Sequence, residues 1–424
     1  GDLASGRPMN RLVQGDVGSG KTAVAAYAAF LCARAGHQAA LMAPTEVLAE
    51  QHARSLTALL APAGVQVELL TGSLTPAEKK RARERIANGR AQVVVGTQAL
   101  IARDTVYRDL ALIIADEQHR FGVAQRAALS AKSGQDTPPH VLVMSATPIP
   151  RTLALMVYGD LDVSVIDQLP PGRTPVETYV IHEDKRQRMY AFVRRQAEEG
   201  RQVYIICPAV EEGEADPETG EPPMDLKAVK TYAAQLADKV FPDLRVGLLH
   251  GKLRPKEKEA AMAAFSSGQT QVLVSTTVVE VGVDVPNASL IIIENAERFG
   301  LSQLHQLRGR VGRGRHRSYC VLMTKSRQEE AMRRLKTLAA TTDGFQIAQA
   351  DLEQRGPGDF FGSRQHGLPQ LRLASLTGDM EVLSQAQRAA RELLERDPAL
   401  SRPESRVVLE RVRVLFTETP DIFN

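Results

Sequence analysis

The segment Gly15-Asp16-Val17-Gly18-Ser19-Gly20-Lys21-Thr22 matches the pattern GxxxxGK[ST], which is typical of loops that bind nucleotide phosphates. An apolar run of strand length precedes the segment and an Ala-rich helical stretch follows it. The glycines let the backbone wrap a phosphate closely, while loop N–H groups and the helix N-terminus supply positive potential. Lys21 is expected to neutralise the β- and γ-phosphates, and Thr22 to bind Mg²⁺. The expected nucleotide-binding residues are Gly15, Gly18, Ser19, Gly20, Lys21 and Thr22.

Apolar runs of strand length alternate with helical stretches around and beyond this loop. In the first half, strands are expected at Arg11–Gln14, Ala39–Ala43, Val65–Leu70, Val93–Val95, Leu110–Ala115 and His140–Met144. In the second half they are expected at Val176–Ile181, Val203–Cys207, Arg245–Leu249, Val272–Ser275, Ser289–Glu294 and Ser318–Met323. Helices are expected at Thr22–Arg34, Glu46–Leu60, Lys185–Glu199, Pro255–Phe265, Gln328–Ala340, Ile347–Glu353 and Asp379–Glu395.

This alternation predicts an α/β fold with buried, mostly parallel sheets. A Pro-marked connection at residues 169–173 separates two such series, and the strand signal stops after Thr324. We therefore predict a first domain at 1–168, a second at 169–326 and a C-terminal helical region at 327–424.

The composition limits the class of protein. A chain of 424 residues is too long for one ordinary core, since chains beyond roughly 250–300 residues usually split into domains. No run approaches ~18 consecutive apolar residues, so no transmembrane helix is expected. The three cysteines stand far apart, which excludes a disulfide scaffold and a cysteine zinc site and fits a reducing cytoplasm. The net charge of +3 does not by itself indicate a nucleic-acid partner, and no repeat of fixed period is evident.

A second group of polar residues follows two of the expected strands. Asp116 and Glu117 end an apolar strand, and a parallel sheet would bring them to the same edge as the phosphate loop. Asp116 is then expected to hold Mg²⁺, and Glu117 to orient or deprotonate the attacking water. His119 is expected to sense the state of the nucleotide and to signal to Ser145 and Thr147, which follow the next strand.

Segments in both halves together resemble the motifs of superfamily 2 helicases. In chain order they are Gly18–Thr22, Asp116–His119, Ser145–Thr147, His250-Gly251, Leu273–Asp284 and Gln306–Arg313. The resemblance implies two tandem RecA-like P-loop domains with ATP in the cleft between them, lined also by Gly282 and Asp284. It implies that Arg310 and Arg313, placed on one face of a helix, act as arginine fingers, with Gln306 as a further catalytic residue. Five arginines without an intervening acid favour phosphate binding here: Arg308, Arg310, Arg313, Arg315 and Arg317.

The sequence around these motifs is similar to that of two related families of bacterial double-strand translocases, RecG and Mfd. The similarity is carried by Arg120–Val123, Pro148–Thr152 and Arg298–Gln306, and Asp351–Gln365 looks like the translocation motif that the two families share. The Arg-Gly-Pro-Gly and Ser-Arg-Gln stretches within it resemble the RecG version. Its glycines and Pro357 predict a non-helical path, with Arg355 and Arg364 coupling the ATP cleft to DNA.

Resemblance to the RecG family implies an ATP- and Mg²⁺-dependent helicase and translocase that remodels branched double-stranded DNA, by fork reversal and Holliday junction branch migration, in recombination and repair. It implies a monomer without membrane contact, in the bacterial cytoplasm near the nucleoid. The alternatives are an Mfd-like motor acting on stalled RNA polymerase, a nucleotide-dependent binding switch and an RNA helicase. RecG proteins carry an N-terminal wedge domain with an OB-fold and a Gln-containing adenine-recognition motif. Neither is found here, so the chain is expected to be a motor portion.

Contacts to DNA are expected in the loops that follow the carboxyl ends of strands. Small hydroxyl residues and backbone amides bind phosphates without reading bases, which predicts largely sequence-independent binding. Aromatic residues make up only 4% of the chain, so extensive base stacking is not indicated. The candidate contacts are Thr71, Thr97, Gln98, Lys252 and Thr276.

Overall fold

A computed structural model describes most of the chain. The described residues are 1–16, 18–116, 128–130, 132, 138–145, 161–168, 175–208, 226–276, 285–314, 316–360 and 380–418. They form two parallel sheets followed by helices, which confirms the predicted α/β class with two parallel-sheet domains. Both sheets belong to one compact unit, and the described residues from Ala348 onward belong to a second. The domain boundaries at 168 and 326 stay predictions.

Seven parallel strands form the first sheet. They are β1 (Asn10–Gly15), β2 (Gln38–Met42), β3 (Val67–Leu70), β4 (Val93–Gly96), β5 (Leu110–Asp116), β6 (His140–Ser145) and β7 (Asp162–Ile166). Their spatial order is β3-β4-β2-β5-β6-β1-β7. The helices described in this region are α1 (Lys21–Arg34), α2 (Glu46–Leu60) and α3 (Pro76–Ala87). Because β6 lies between β1 and β5, the loop after β1 and Asp116 at the end of β5 flank Ser145 at one sheet edge.

Six parallel strands form the second sheet. They are β8 (Glu177–Ile181), β9 (Gln202–Ile206), β10 (Val246–Leu249), β11 (Val272–Ser275), β12 (Ala288–Ile293) and β13 (Tyr319–Met323), in the spatial order β10-β11-β9-β12-β13-β8. The helices described here are α4 (Arg186–Glu198), α5 (Leu226–Gln235), α6 (Pro255–Ser266), α7 (Leu301–Arg308) and α8 (Glu329–Ala340). Every residue of β9, β11 and β12 is buried, as expected for strands covered on both faces.

The described C-terminal helices are α9 (Gly344–Phe360), α10 (Met380–Arg396) and α11 (Pro403–Glu418). The non-helical path predicted from Arg355 onward is wrong for its first six residues, which are helical. A helix already formed over residues 344–354 propagates at low cost. Pro357 lies in the last turn, where the backbone hydrogen bond that it removes is among the last of the helix. Among the described residues, no helix is long and apolar enough to cross a membrane.

The two sheets contain one structural unit twice. β3, α3 and β4 begin at residues 67, 76 and 93, and β10, α6 and β11 begin 179 residues later at 246, 255 and 272. The paired elements have equal lengths, and both helices start with Pro and carry Glu two residues later. Because the unit occurs only twice, it produces no fixed period in the sequence.

The same polar side chain ties each unit to its sheet. Gln38, the first residue of β2, donates through Nε2 to the carbonyls of Ile86 and Ala91 at 2.9 and 2.7 Å. Gln202, the first residue of β9, donates through Nε2 to the carbonyls of Phe265 and Thr270. These two residues lie 179 positions after Ile86 and Ala91. Buried polar groups of this kind are satisfied in both domains by equivalent contacts.

The two units differ at one pair of neighbouring residues on adjacent strands. A Cβ atom added at Gly96 of β4 would lie 2.1 Å from the carbonyl oxygen of Leu70, its partner on β3. The equivalent pair in the second sheet is Leu249 and Ser275, where a side chain is present. A Cβ atom is therefore tolerated at residue 275 of the second sheet but not at residue 96 of the first.

Four of these strands and helices were not anticipated from the sequence: β7, α3, α5 and α11. Strand β7 is short and only partly buried, so its apolar signal is weak. Helix α3 is strongly polar, but it begins with a capping box in which Thr75 and Glu78 exchange hydrogen bonds. Helix α11 also escaped prediction, and its exposed valines, such as Val407, weaken the polar face of its pattern.

Candidate functional site

The loop after β1 has the geometry of a phosphate cradle. Gly20 caps α1 with φ of 97°, a left-handed conformation that a side chain disfavours. A Cβ atom at Gly15 would lie 2.5 Å from Ser19 Oγ and 3.2 Å from the Ile166 carbonyl oxygen. The Ser19 Oγ is itself buried without a hydrogen-bond partner among the described residues. Glycine is thus required at these positions, and one polar group in the loop is left for a ligand.

Lys21 is the first residue of α1 and is buried. Its Nζ donates to the carbonyl oxygens of Gly15 and Asp16 at 2.8 and 2.9 Å. The ammonium group therefore lies against the cradle, and its contact with nucleotide phosphates stays a prediction. Thr22 follows it in the first helical turn and is partly exposed, and Gly18 is exposed with φ of 79°.

Asp116 lies at the carboxyl end of β5 and is 9% exposed. Its Oδ2 accepts a hydrogen bond of 2.6 Å from Nε2 of His52, on α2. Both side chains are nearly buried, at 12% and 11% exposed, so His52 fixes the carboxylate orientation. The sequence reasoning missed His52, because nothing local in the Glu46–Leu60 helix marks it. Ser145, at the end of the neighbouring β6, is buried at the same edge.

Several predicted residues lie outside the described residues. They are Glu117, His119, Thr147, Gly282, Asp284 and Arg364. Arg355 belongs to α9 by its backbone, but its side chain is likewise outside the described part. Their assigned roles stay predictions.

Helix α7 from the second domain reaches the phosphate loop of the first. His305 Nε2 lies 3.0 Å from Asp16 Oδ1, and the His305 side chain is 4% exposed. Arg308 Nη2 contacts His305 Nδ1 at 3.0 Å, while its Nη1 donates to the carbonyls of Leu338 and Thr341. Arg308 was predicted to be one of the phosphate-binding arginines. It is instead buried and bonded to the carbonyls at the end of α8.

The prediction that Arg310 and Arg313 lie on one face of a helix is wrong. Helix α7 ends at Arg308, and both arginines follow it. Gly309 and Gly312 account for the early end, since glycine disfavours a helix interior and Gly312 has φ of 82°. Both arginines are partly buried, and Arg313 Nε donates to the Gly309 carbonyl at 3.1 Å. Gln306 lies within α7 and is also partly buried.

The predicted DNA contacts all follow the carboxyl ends of adjacent strands. Thr71 and Thr97 follow β3 and β4, and Lys252 and Thr276 follow β10 and β11. Lys252 is exposed, as is Gln98, whereas Thr71 is fully buried with its Oγ1 3.1 Å from Ser73 Oγ. Thr276 is also buried, and its backbone N–H donates to the Leu249 carbonyl at 3.1 Å. Thr71 and Thr276 therefore present no exposed donor in this structure, and their contact with DNA stays a prediction.

His250 occupies the position in the second unit that Thr71 occupies in the first. It is 4% exposed, and its Nδ1 has no hydrogen-bond partner among the described residues. Burial lowers the pKa of His250, and the positive charges of Lys230 and Lys258 lower it further. At this end of the second sheet, burial and nearby lysines therefore disfavour protonation of His250.

Three family models match successive parts of the chain. A DEAD/DEAH box helicase model matches residues 2–156, and a helicase conserved C-terminal domain model matches residues 184–315. A model described as ATP-dependent DNA helicase RecG, domain 3, C-terminal, matches residues 341–421. The three ranges correspond in order to the first sheet, the second sheet and the C-terminal helices.

Curated relatives match nearly the whole chain. The ATP-dependent DNA helicase RecG of Synechocystis sp. is 54% identical over 94% of this chain and 47% of its own length. That of Bacillus subtilis is 48% identical over 97% of this chain and 59% of its own length. A solved structure of RecG bound to a three-way DNA junction is 44% identical, with a TM-score of 0.73 over 90% of this chain and 48% of its own. The chain thus spans about half the length of the relatives it matches.

Proposed function

This chain belongs to the RecG family, and we propose that it is an ATP-hydrolysing motor that translocates along double-stranded DNA and remodels branched DNA. The substrates we propose are forks and Holliday junctions, processed by fork reversal and branch migration in recombination and repair. The motor would act as a monomer on the DNA of the bacterial cytoplasm and nucleoid. The match of residues 341–421 to a RecG domain model favours this function over an Mfd-like motor on stalled RNA polymerase.

The observation that carries the ATP-hydrolysing part is the contact between His305 and Asp16. It brings α7, the helix that leads to Arg310 and Arg313, against the phosphate loop of the other domain. Arginines that approach a phosphate loop from a second domain stabilise the charge that develops during phosphoryl transfer. We assign that role to Arg310 and Arg313, and the ground-state contact with the β- and γ-phosphates to Lys21.

The described residues fit ATP and its metal ion. The glycine cradle and the unpaired Ser19 Oγ suit a phosphate group, and the buried Lys21 supplies positive charge. No group of three or more His, Cys, Asp or Glu side chains suited to a metal occurs among the described residues. A hydroxyl and one carboxylate, Thr22 and Asp116, are the oxygen donors that Mg²⁺ uses when phosphates complete its shell. Mg²⁺ would supply charge neutralisation for the transferred phosphoryl group, and Glu117 would orient the attacking water.

The DNA part rests on the relatives and on the carboxyl edges of the sheets. The solved RecG structure bound to a three-way DNA junction matches the fold of 90% of this chain. Lys252 and Gln98, which are exposed, and Thr97, which is partly exposed, would contact phosphates without base readout. The proposed grip on DNA is therefore independent of sequence and sensitive to salt.

The proposal is tested by ATP hydrolysis with forked duplex, linear duplex, single-stranded DNA and no DNA. We expect forked duplex to stimulate hydrolysis most and single-stranded DNA least, with a rate that falls as salt rises. The Lys21→Ala variant is the control for contaminating hydrolysis. Equal rates with and without DNA would overturn the assignment of a DNA motor.

A further inference from the structure

His305 is held in one orientation by contacts on both of its ring nitrogens. Arg308 lies one helical turn later on α7, and its Nη2 is 3.0 Å from His305 Nδ1. A guanidinium group only donates, so Nδ1 must accept and the ring proton must reside on Nε2. Nε2–H then donates to Asp16 Oδ1 at 3.0 Å. The tautomer of His305 follows from geometry alone.

Arg308 is itself anchored at the end of another helix. Its Nη1 donates to the carbonyls of Leu338 and Thr341 at 2.7 and 2.8 Å, at the carboxyl end of α8. Carbonyls in the last turn of a helix have no partner within the helix, and a cation there is favoured by the helix dipole. His305 and Arg308 are each 3–4% exposed, so the imidazole is tied to a rigid, buried part of the second domain.

Asp16 is part of the phosphate loop by its backbone as well as its side chain. Its carbonyl oxygen accepts from Ser19 N at 3.0 Å and from Lys21 Nζ at 2.9 Å. Its carboxylate, 21% exposed, is a negative charge in a loop built to hold phosphates, where it would repel them if it were free to turn toward them. The His305 hydrogen bond holds that carboxylate toward α7.

We infer that His305 is a positioning residue that holds the phosphate loop from the second domain through Asp16. The loop and the segment after α7, which carries Arg310 and Arg313, thereby keep one relative placement during hydrolysis. The inference rests on the proposed function, because only a reaction between the two domains needs that placement. Loss of the contact should act mainly on kcat, since the nucleotide is still held by Lys21 and the loop amides.

Two substitutions separate the two ring nitrogens. His305→Asn keeps an acceptor near Nδ1 for Arg308 and removes the donor to Asp16. His305→Gln keeps an amide N–H near Nε2 that can donate to Asp16. The matched control is His182→Asn, because His182 is a partly buried histidine of the same domain whose Nδ1 lies 3.1 Å from the Thr324 carbonyl.

We expect His305→Asn to lower the kcat of DNA-stimulated ATP hydrolysis about 10- to 100-fold, as small misplacements of catalytic groups do. KM for ATP and the melting temperature should change little, His305→Gln should recover most of kcat, and His182→Asn should match the unsubstituted protein. The double variant His305→Asn/Asp16→Ala should lose no more kcat than the worse single variant, because both substitutions remove the same His305–Asp16 hydrogen bond. Independent, multiplying losses would overturn the inference.

A second measurement does not depend on catalysis. Hydrogen–deuterium exchange at residues 15–20 should be faster in His305→Asn than in the unsubstituted protein, and unchanged in His182→Asn. Absence of DNA-stimulated hydrolysis in the unsubstituted protein would overturn the proposed function. Unchanged exchange at the loop in His305→Asn would overturn the positioning role, whatever the hydrolysis rates are.

Discussion

Replacing His52 should weaken the affinity of the ATP site for Mg²⁺. His52→Ala removes the donor to Asp116 Oδ2, a bond of 2.6 Å between side chains that are 11% and 12% exposed. A buried acceptor that loses its partner costs about 1–3 kcal/mol, and more when it is charged. Loss of a partner behind a metal-binding side chain typically lowers metal affinity 10–100-fold, which is about 1.4–2.8 kcal/mol and agrees with that cost.

The assay is kcat measured against Mg²⁺ concentration at saturating ATP, together with binding of a fluorescent ATP analogue with and without Mg²⁺. We expect the half-maximal Mg²⁺ concentration to rise about 10–100-fold in His52→Ala. His37→Ala is the matched control, because His37 also lies 2.6 Å from an aspartate, Asp109, but the pair is more exposed and lies at the start of β2 and β5 rather than at their carboxyl ends. If the Mg²⁺ curve of His52→Ala overlaid that of the unsubstituted protein, His52 would have no part in orienting Asp116.

Three further outcomes are expected. Lys21→Ala should abolish ATP hydrolysis while thermal unfolding stays close to normal, and turnover at saturating ATP would remove Lys21 from the site. Arg310→Ala and Arg313→Ala should each lower kcat about 10³-fold or more with a small change in nucleotide affinity, and equal losses in both would indicate ground-state binding instead. Asp397 accepts from the amides of Arg402 and Ser401, and these bonds, the Arg402 amide first, lower its pKa to about 2. Its contribution to stability is thus present above its ordinary pKa and lost as pH falls through about 4 to about 2. The melting-temperature difference between the unsubstituted protein and Asp397→Ala should therefore shrink over that range, and a difference that is constant with pH would contradict the role of the carboxylate.

The sequence was sufficient for the parts of the site that are local. The phosphate loop and Asp116 could be placed because a strand, a glycine-rich turn and a helix follow one another within a few residues. Parallel strands end at the same edge of a sheet, and so the common edge of β1, β5 and β6 could be anticipated without the strand order.

The residues that connect these parts could not be placed in the same way. His52 lies 64 residues from Asp116, and His305 lies 289 residues from Asp16. Each is an unremarkable histidine within its own helix, and its role exists only through a tertiary contact. The helix predicted through Arg313 is wrong for a different reason. The i, i+3 spacing of the arginines indicates a helical face, but Gly309 and Gly312, which directly precede Arg310 and Arg313, end the helix first.

The lack of space for a side chain at Gly96 has a consequence for how the chain reaches its native strand pairing. Two units of equal length in one polypeptide can exchange strands during folding, as repeated domains do when they misassemble. If β11 entered the first sheet in place of β4, the Cβ of Ser275 would fall at the position that lies 2.1 Å from the Leu70 carbonyl oxygen. That collision rejects the wrong copy, whereas Gly96 in the second sheet would meet no such barrier. The discrimination therefore works in one direction, and it protects the domain that leaves the ribosome first.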